Sequence, residues 1–270
     1  MAIELLKRLF CRLPLRQQQA LKRRVYRRQM SSGRFVAPEW EFKQLERWLK
    51  PGDWVVDVGA NIGHYTKRFS ELVGPAGRVF AVEPVPDTFE ILASNAAMFA
   101  DQNVTLLNVA ASTINDLVHI EIPRNDNGLQ NYFLASVSDN KAGIPVVAMP
   151  VDALGIKQRV KLVKIDVEGH EIHALRGMRQ LLERDHPVLI VEGQCQQVNF
   201  FLTELGYRFE QQPGSVNRVF LPLAQAWVMP SFPASGASGD TSFEDGFREQ
   251  GTHGYVRQVN RVANAQVRGH

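Results

Sequence analysis

Asp57-Val58-Gly59-Ala60-Asn61-Ile62-Gly63 follows the apolar run Trp54 to Val58 and leads straight into helical spacing from Tyr65 to Leu72. A chain that turns here without side-chain bulk, then enters a helix whose first N–H groups are free, offers a seat for a bound ligand. Gly59 allows close backbone approach, Asn61 tolerates the left-handed conformation, and Gly63 permits tight entry into the helix. A plain strand-to-helix turn has no need of an acid at its start, so Asp57 is the informative residue.

Glu83 ends a second apolar run, Arg78 to Val82, 20 residues beyond Gly63. A carboxylate at a strand end one βα unit after a Gly-rich turn can accept both hydroxyls of a ribose, and the pair reads as a nucleoside site. A dinucleotide fingerprint requires glycine at the first, third and sixth positions; here glycine stands at the first and fifth, with Asn61 and His64 in the other two. NAD and FAD are disfavoured. Asp57 would repel a pyrophosphate but attract the ammonium of a methionine moiety, which points to S-adenosylmethionine as cofactor.

Working outward, the expected strands are Trp54 to Val58, Arg78 to Val82, Val104 to Val109, Lys161 to Ile165 and Val188 to Val191, and the expected helices Tyr65 to Leu72, Thr88 to Phe99 and Glu171 to Glu183. This alternation predicts a doubly wound α/β fold with a mostly parallel sheet, its faces covered by helices. A helix opening at Ala37-Pro38-Glu39 precedes it, with Phe42, Leu45, Trp48 and Leu49 on its apolar side, and Trp54, Phe80 and Phe89 are ordinary core candidates. Residues 112 to 152 break the rhythm with Leu117 to Ile122 and Pro145 to Met149, which read as added strands around a polar loop that shapes substrate choice. Phe200 to Leu205 reads as a further helix, and Tyr207 to Glu210 with Asn217 to Leu221 as an antiparallel closing hairpin.

Asp166 falls at the carboxyl end of the fourth parallel strand, the edge where open α/β sheets bind ligands. Glu168 lies two residues on, and Gly169 lets the chain turn there. Methyl transfer needs an oxygen held in line with the methyl donor and a base for its proton. Asp166 is the first candidate for a cofactor or substrate contact, Glu168 for the base or acceptor-orienting group, and His170 the second candidate base. Glu168 and Glu171 could equally favour a helix dipole. Asp166, Glu168 and Glu192 could gather a divalent cation, but such carboxylates are weak evidence from sequence, and no metal is assigned.

Val55 to Gly63, Val82-Glu83-Pro84, Asn95, Lys164-Ile165-Asp166-Val167-Glu168-Gly169-His170-Glu171, Gly177 and Val191-Glu192 together resemble the FkbM family of S-adenosylmethionine-dependent methyltransferases. The resemblance covers roughly residues 50 to 195. It implies a class I methyltransferase (Rossmann-like) fold and, most often, O-methylation of a sugar or polyketide hydroxyl. His64 and His170 stand where that family often has small or apolar residues, so no role transfers to them. The expected function is O-methylation of a glycan, glycolipid or related secondary metabolite; the rival is a non-catalytic nucleoside-binding or adaptor protein that keeps the fold.

With 270 residues, 44% of them apolar, the chain can build an enzyme-sized core. Its formal charge of +3 hides an asymmetry: residues 1 to 34 hold ten Lys or Arg and one acid, a net +9, leaving −6 on the remainder. A basic arm on an acidic body points to an anionic membrane or polyanion touched locally rather than to a nucleic-acid groove. Ile3, Leu6, Phe10 and Leu13 recur at helical intervals before Pro14, and a second basic stretch runs from Arg16 to Arg28. A solvated or self-packed arm and an organelle presequence are the alternatives. Cys11 and Cys195 lie far apart and read as reduced, so the expected location is cytoplasmic, with peripheral contact at the inner face of the membrane. Expected divisions are an arm over 1–34, a methyltransferase domain over 35–222, and a Ser/Gly/Pro-rich, poorly ordered tail over 223–270.

Overall fold

The computed structural model describes residues 13–32, 39–124, 130–211 and 215–223, all within one unit spanning residues 1–226. The stripe Ile3, Leu6, Phe10, the start Ala37-Pro38, the loop tip 125–129 and the tail after 223 lie outside the described residues.

Seven strands form the main sheet: β1 (Trp54–Val58), β2 (Arg78–Val82), β3 (Val104–Leu107), β8 (Val160–Ile165), β9 (Val188–Glu192), β10 (Tyr207–Glu210) and β11 (Asn217–Pro222). Their order is β10-β11-β9-β8-β1-β2-β3, with β3 to β9 parallel and β11 and β10 antiparallel. The doubly wound, mostly parallel sheet with its closing hairpin is therefore present. The chain leaves β1 towards β2 and returns to place β8 on the other side, so the switch point where such sheets bind ligands lies between β1 and β8. β1 and β8 are built mainly from Val, Leu and Ile because both faces are covered; Val55, Val56, Leu162, Val163 and Ile165 are fully buried. Helices α3 (His64–Val73), α4 (Pro86–Ala96) and α7 (Gln196–Glu204) follow β1, β2 and β9.

Two expected elements are divided. Val104 to Val109 is not one strand: after β3 the chain crosses to β4 (Ala110–Ala111), which pairs with β7 (Ile144–Met149) in a second sheet. Asn108 makes the crossing, its amide donating to the carbonyls of Glu83 at 2.9 Å and Pro84 at 3.0 Å instead of continuing a ladder. Glu171 to Glu183 splits into α5 (Glu171–Arg176) and α6 (Arg179–Asp185). The break falls at Gly177, where a Cβ would come within 1.9 Å of the Ser112 carbonyl oxygen, and Asp152 then accepts from the N–H groups of Gln180 and Leu181 at the start of α6.

The 112–152 segment supplies strands as expected. β5 (Asp116–Glu121) lies antiparallel to both β7 and β6 (Ser136–Ser138), giving a four-stranded sheet β4-β7-β5-β6 with its own small core of Val85, Ala110, Ile120, Val146 and Ala148.

Two helices precede the sheet. In α2 (Trp40–Trp48), Glu41 is fully buried and receives hydrogen bonds from Ser215 and Asn217, tying this helix to β11; Leu45 and Leu49 are buried, as their spacing predicts. The basic stretch forms α1 (Leu15–Ser31), and it does not stand clear of the domain. Met30 packs with Ile62 and Ile91, Gln19 bonds Asp87, and Lys22 sits 4.2 Å above the Tyr132 ring.

Candidate functional site

Three turns meet at the carboxyl edge of the sheet, after β1, β2 and β8. They are laced together by backbone: Gly59 and Ala60 donate to the Val82 carbonyl at 2.9 and 3.0 Å, and Asp166 donates to that of Val58 at 3.0 Å. An open cleft of about 600 Å³ lies over them. Its floor carries Gly59, Asn61, Glu83, Asp166, Glu168 and His170. Its other wall is apolar and comes largely from the second sheet and its approach, including Ala110, Ile120, Tyr132, Phe133 and Val137.

Of the candidate residues, six are thus brought together, while Asp57 and Gly63 fall behind the floor. Gly59 has φ +76°, and a Cβ there would lie 1.7 Å from the Asp166 carbonyl oxygen, so the space that glycine leaves is taken by the protein's own backbone. Asn61 has φ +50°, the left-handed conformation expected of it. Glu83 is 5% exposed; Oε2 accepts from Asn61 N–H at 2.9 Å and Oε1 from Val85 N–H at 3.0 Å. Those bonds fix the carboxylate and leave each oxygen a second lone pair. Asn95 holds the turn from behind, donating to the Ile62 carbonyl at 2.8 Å.

The expected direct contact of Asp57 with a cationic ligand is replaced by a contact inside the protein. Asp57 is fully buried, its Oδ2 accepts from Thr66 at 2.6 Å, and in the β1–β8 register it stands beside Lys164. Lys164 is itself buried, with Nζ 2.8 Å from Asp166 Oδ2 and 4.8 Å from the centre of the Tyr65 ring. This ammonium serves Asp57, Asp166 and Glu192 at once, which holds its pKa above the ordinary value against the opposing effect of burial. A lysine inside the apolar run Val160 to Ile165 was the available sign of it.

Asp166, Glu168 and Glu192 offer oxygens within 4.8 Å of one another. Such a trio can hold a cation, and Lys164 already supplies positive charge beside it. Burial and the neighbouring acids push the Glu192 carboxyl well up, whereas Asp166, with Lys164 and Glu192 against it, is held low. Glu168 occupies a left-handed turn at φ +47°, and its carboxylate takes no hydrogen bond from a described residue. Desolvation, then Asp166 and Glu171, raise its pKa to about 7. The dipole role falls to Glu171, which accepts from Gly169 N–H at 2.8 Å on the first residue of α5. His170 Nε2 lies 3.0 Å from Ser112 Oγ and its ring stacks on His173; burial, then His173, lower its pKa to about 4, so it is neutral at physiological pH.

These shifts have a measurable sum. Glu83 and Glu168 both titrate near 7 in the fold against an ordinary 4.5, so the folded chain holds their protons more tightly than the unfolded chain does. Their contribution therefore weakens as pH rises from 4.5 through 7. His64 and His170 act oppositely, but only below 6.5, where the unfolded chain protonates them. Above that the carboxylates alone remain in play: Glu83 and Glu168 lose the rest of their contribution through pH 7, while Glu192, pushed up to about 10 by burial and then by Asp166, keeps losing its own beyond it, so the urea midpoint is expected to fall between about pH 7 and about pH 9; an unchanged midpoint would mean that Glu192 is solvated.

Residues 57–209 match the family model of the methyltransferase FkbM domain, more than half of the chain. The chain belongs to the FkbM methyltransferase family. Its cofactor is S-adenosylmethionine. Among curated proteins, the hexuronic acid methyltransferase AglP of Haloferax volcanii is 28% identical over 141 residues, 51% of this chain and 55% of that protein. The chain thus spans about half the length of that relative. A protein-L-isoaspartate O-methyltransferase of Aeropyrum pernix is 46% identical over only 46 residues, 17% of this chain and 18% of its own. The FkbM methyltransferase structure from Methylobacillus flagellatus aligns with a TM-score of 0.45 at 16% identity, covering 63% of this chain and 43% of that one. The FkbM match includes the turns after β1, β2 and β8, and so the cleft floor.

The floor fits the cofactor chemically. Glu83 is a fixed, buried carboxylate with acceptor capacity facing the cleft, as a ribose diol requires, and among the described residues of the floor no lysine or arginine awaits a pyrophosphate.

Proposed function

We propose that this chain transfers the methyl group of S-adenosylmethionine to a hydroxyl oxygen of a glycan, glycolipid or related secondary metabolite. Glu83 would take the ribose hydroxyls, with Gly59 and Asn61 forming the adjoining floor. When bound, the cofactor supplies an electrophilic methyl group on a sulfonium. Asp57, Asp166 and Lys164 would fix the charge beside it, and Asp166 would touch cofactor or acceptor. Glu168 would receive the proton of the acceptor hydroxyl whose oxygen takes that methyl group.

The observation that carries the reading is Glu168: a half-buried carboxylate, free of hydrogen bonds from described residues, titrating near 7 in the cleft that holds Glu83. A base is needed for a hydroxyl and is superfluous for an acceptor that is already a carboxylate. His170, lowered to about 4 and engaged with Ser112, is the weaker base. The name of AglP supports a sugar acid as the first acceptor to try. It offers both hydroxyls and a carboxylate, and alkali tells the products apart.

The test is incubation with methyl-labelled S-adenosylmethionine and glycans containing hexuronic acid or neutral sugars, followed by mass spectrometry before and after alkaline treatment. Label retained in alkali-stable ethers supports the reading. Alkali-labile esters would move the acceptor to a carboxylate, and cofactor binding with no transfer to any acceptor would favour the adaptor alternative.

A further inference from the structure

Helix α1 has two faces, and only one is used by the domain. Gln19, Lys22, Arg23, Tyr26 and Met30 turn inward, where Arg23 lies 3.6 Å from Glu90 and Met30 is buried against Ile62 and Ile91. The opposite face carries Arg24 and Arg28, both exposed, together with Leu21 at 44% and Val25 at 57% exposure, while Arg16 and Arg27 lie on the shoulder beside Arg23, where Arg27 Nε donates to Met98 Sδ at 3.3 Å. At 100° per residue Leu21 and Val25 sit one turn apart on the flank of this arginine pair. The helix contains no acid, and neither Arg24 nor Arg28 forms an ion pair with a described residue.

Such a surface is costly for a helix that merely covers α4, because a solvated face has no need of exposed aliphatic side chains among uncompensated positive charges. It matches the boundary of an anionic bilayer, where guanidinium groups meet lipid phosphates and short aliphatic side chains enter the acyl margin. A nucleic-acid backbone would satisfy the arginines and leave Leu21 and Val25 in water, and an acid-rich body makes a wider polyanion track unfavourable. From these observations we infer that the outer face of α1 docks the protein on anionic lipid, with Arg24 and Arg28 on the headgroups and Leu21 and Val25 below them. The inner face of the same helix carries Lys22 against Tyr132 of the cleft wall, so the docked helix is physically joined to the site.

The experiment is co-sedimentation of the full chain with phosphatidylcholine vesicles, with and without phosphatidylglycerol as about one lipid in three, at low and high salt. Three proteins are compared: wild type, Arg24→Gln/Arg28→Gln, and Leu21→Ser/Val25→Ser. Wild type should bind only the anionic vesicles and release them as salt rises. Each arginine lost should lower partitioning roughly five-fold, and the aliphatic pair together by roughly ten-fold. The affinity for S-adenosylhomocysteine should not change in either variant, which separates loss of docking from loss of fold or cofactor site. Equal sedimentation of all three overturns the inference. So does a loss confined to the arginine variant accompanied by tight binding of a short DNA duplex, which would make the face a polyanion site instead.

Discussion

Glu168→Gln is expected to lower turnover by about 10² to 10⁴, the range for removing a general base, with the affinity for S-adenosylhomocysteine preserved. Glutamine keeps the size of the side chain and removes its basicity, and Glu168 has no hydrogen bond from a described residue to lose. A second signature comes from its pKa of about 7. Wild-type kcat/KM should climb with pH, about tenfold per unit well below 7, and level off above it, whereas the glutamine variant should show no such step. If the variant retains wild-type turnover, either Glu168 serves only the turn or the acceptor needs no base. His170→Ala then decides, because its loss of activity would transfer the role to the imidazole held by Ser112.

Lys164→Met is expected to be the most destabilising single change in the site. Asp57 and Asp166 both rely on this ammonium, and Glu192 shares it. Removing one partner of a buried charge pair costs about 3 to 5 kcal/mol because the other is left uncompensated. The sign of the pH dependence follows. In acid the orphaned carboxyls take up protons and the loss shrinks; towards about pH 8 they must carry their charges and the loss is full. Chemical denaturation at the two ends of this range measures both. A loss below about 1 kcal/mol at the alkaline end would show that water already compensates these acids.

The turns of the floor were legible in the sequence because each rests on local chemistry. Trp54–Val58 and Arg78–Val82 are the strands at their expected bounds, each a short apolar run entered through glycine and ended by a residue that the turn needs. Asn61 at positive φ follows from its side chain alone. What was hidden depends on distant partners. Nothing near Asn108 indicates that its amide will tie down the turn at Glu83 and Pro84 and send the chain into a second sheet. Gly177 looks like any helix interior until Ser112, 65 residues earlier, is packed against it. Asp57 is read naturally as a ligand for a cation, and so it is, but the cation is Lys164, which enters only when β8 is set beside β1. Ser112 and Tyr132 likewise join the site through the second sheet, whose register no local pattern specifies.

The basic stretch shows the same division. Its charge was plain from composition, yet its packing on α4 rests on Met30, Ile62 and Ile91, three residues widely separated in the chain. Arginine content alone did not reveal that one side of the helix belongs to the domain.

The central claim is that the Gly-rich turn and Glu83 form one nucleoside seat, and calorimetric titration of wild type and Glu83→Ala with S-adenosylhomocysteine tests it most directly. Each charge-assisted hydrogen bond to the ribose is worth about 1.5 to 3 kcal/mol, so the wild type should bind and the variant should bind at least about tenfold more weakly, with its far-ultraviolet circular dichroism unchanged. Equal affinity in the two folded proteins, or binding of NAD in place of S-adenosylhomocysteine, would contradict the account.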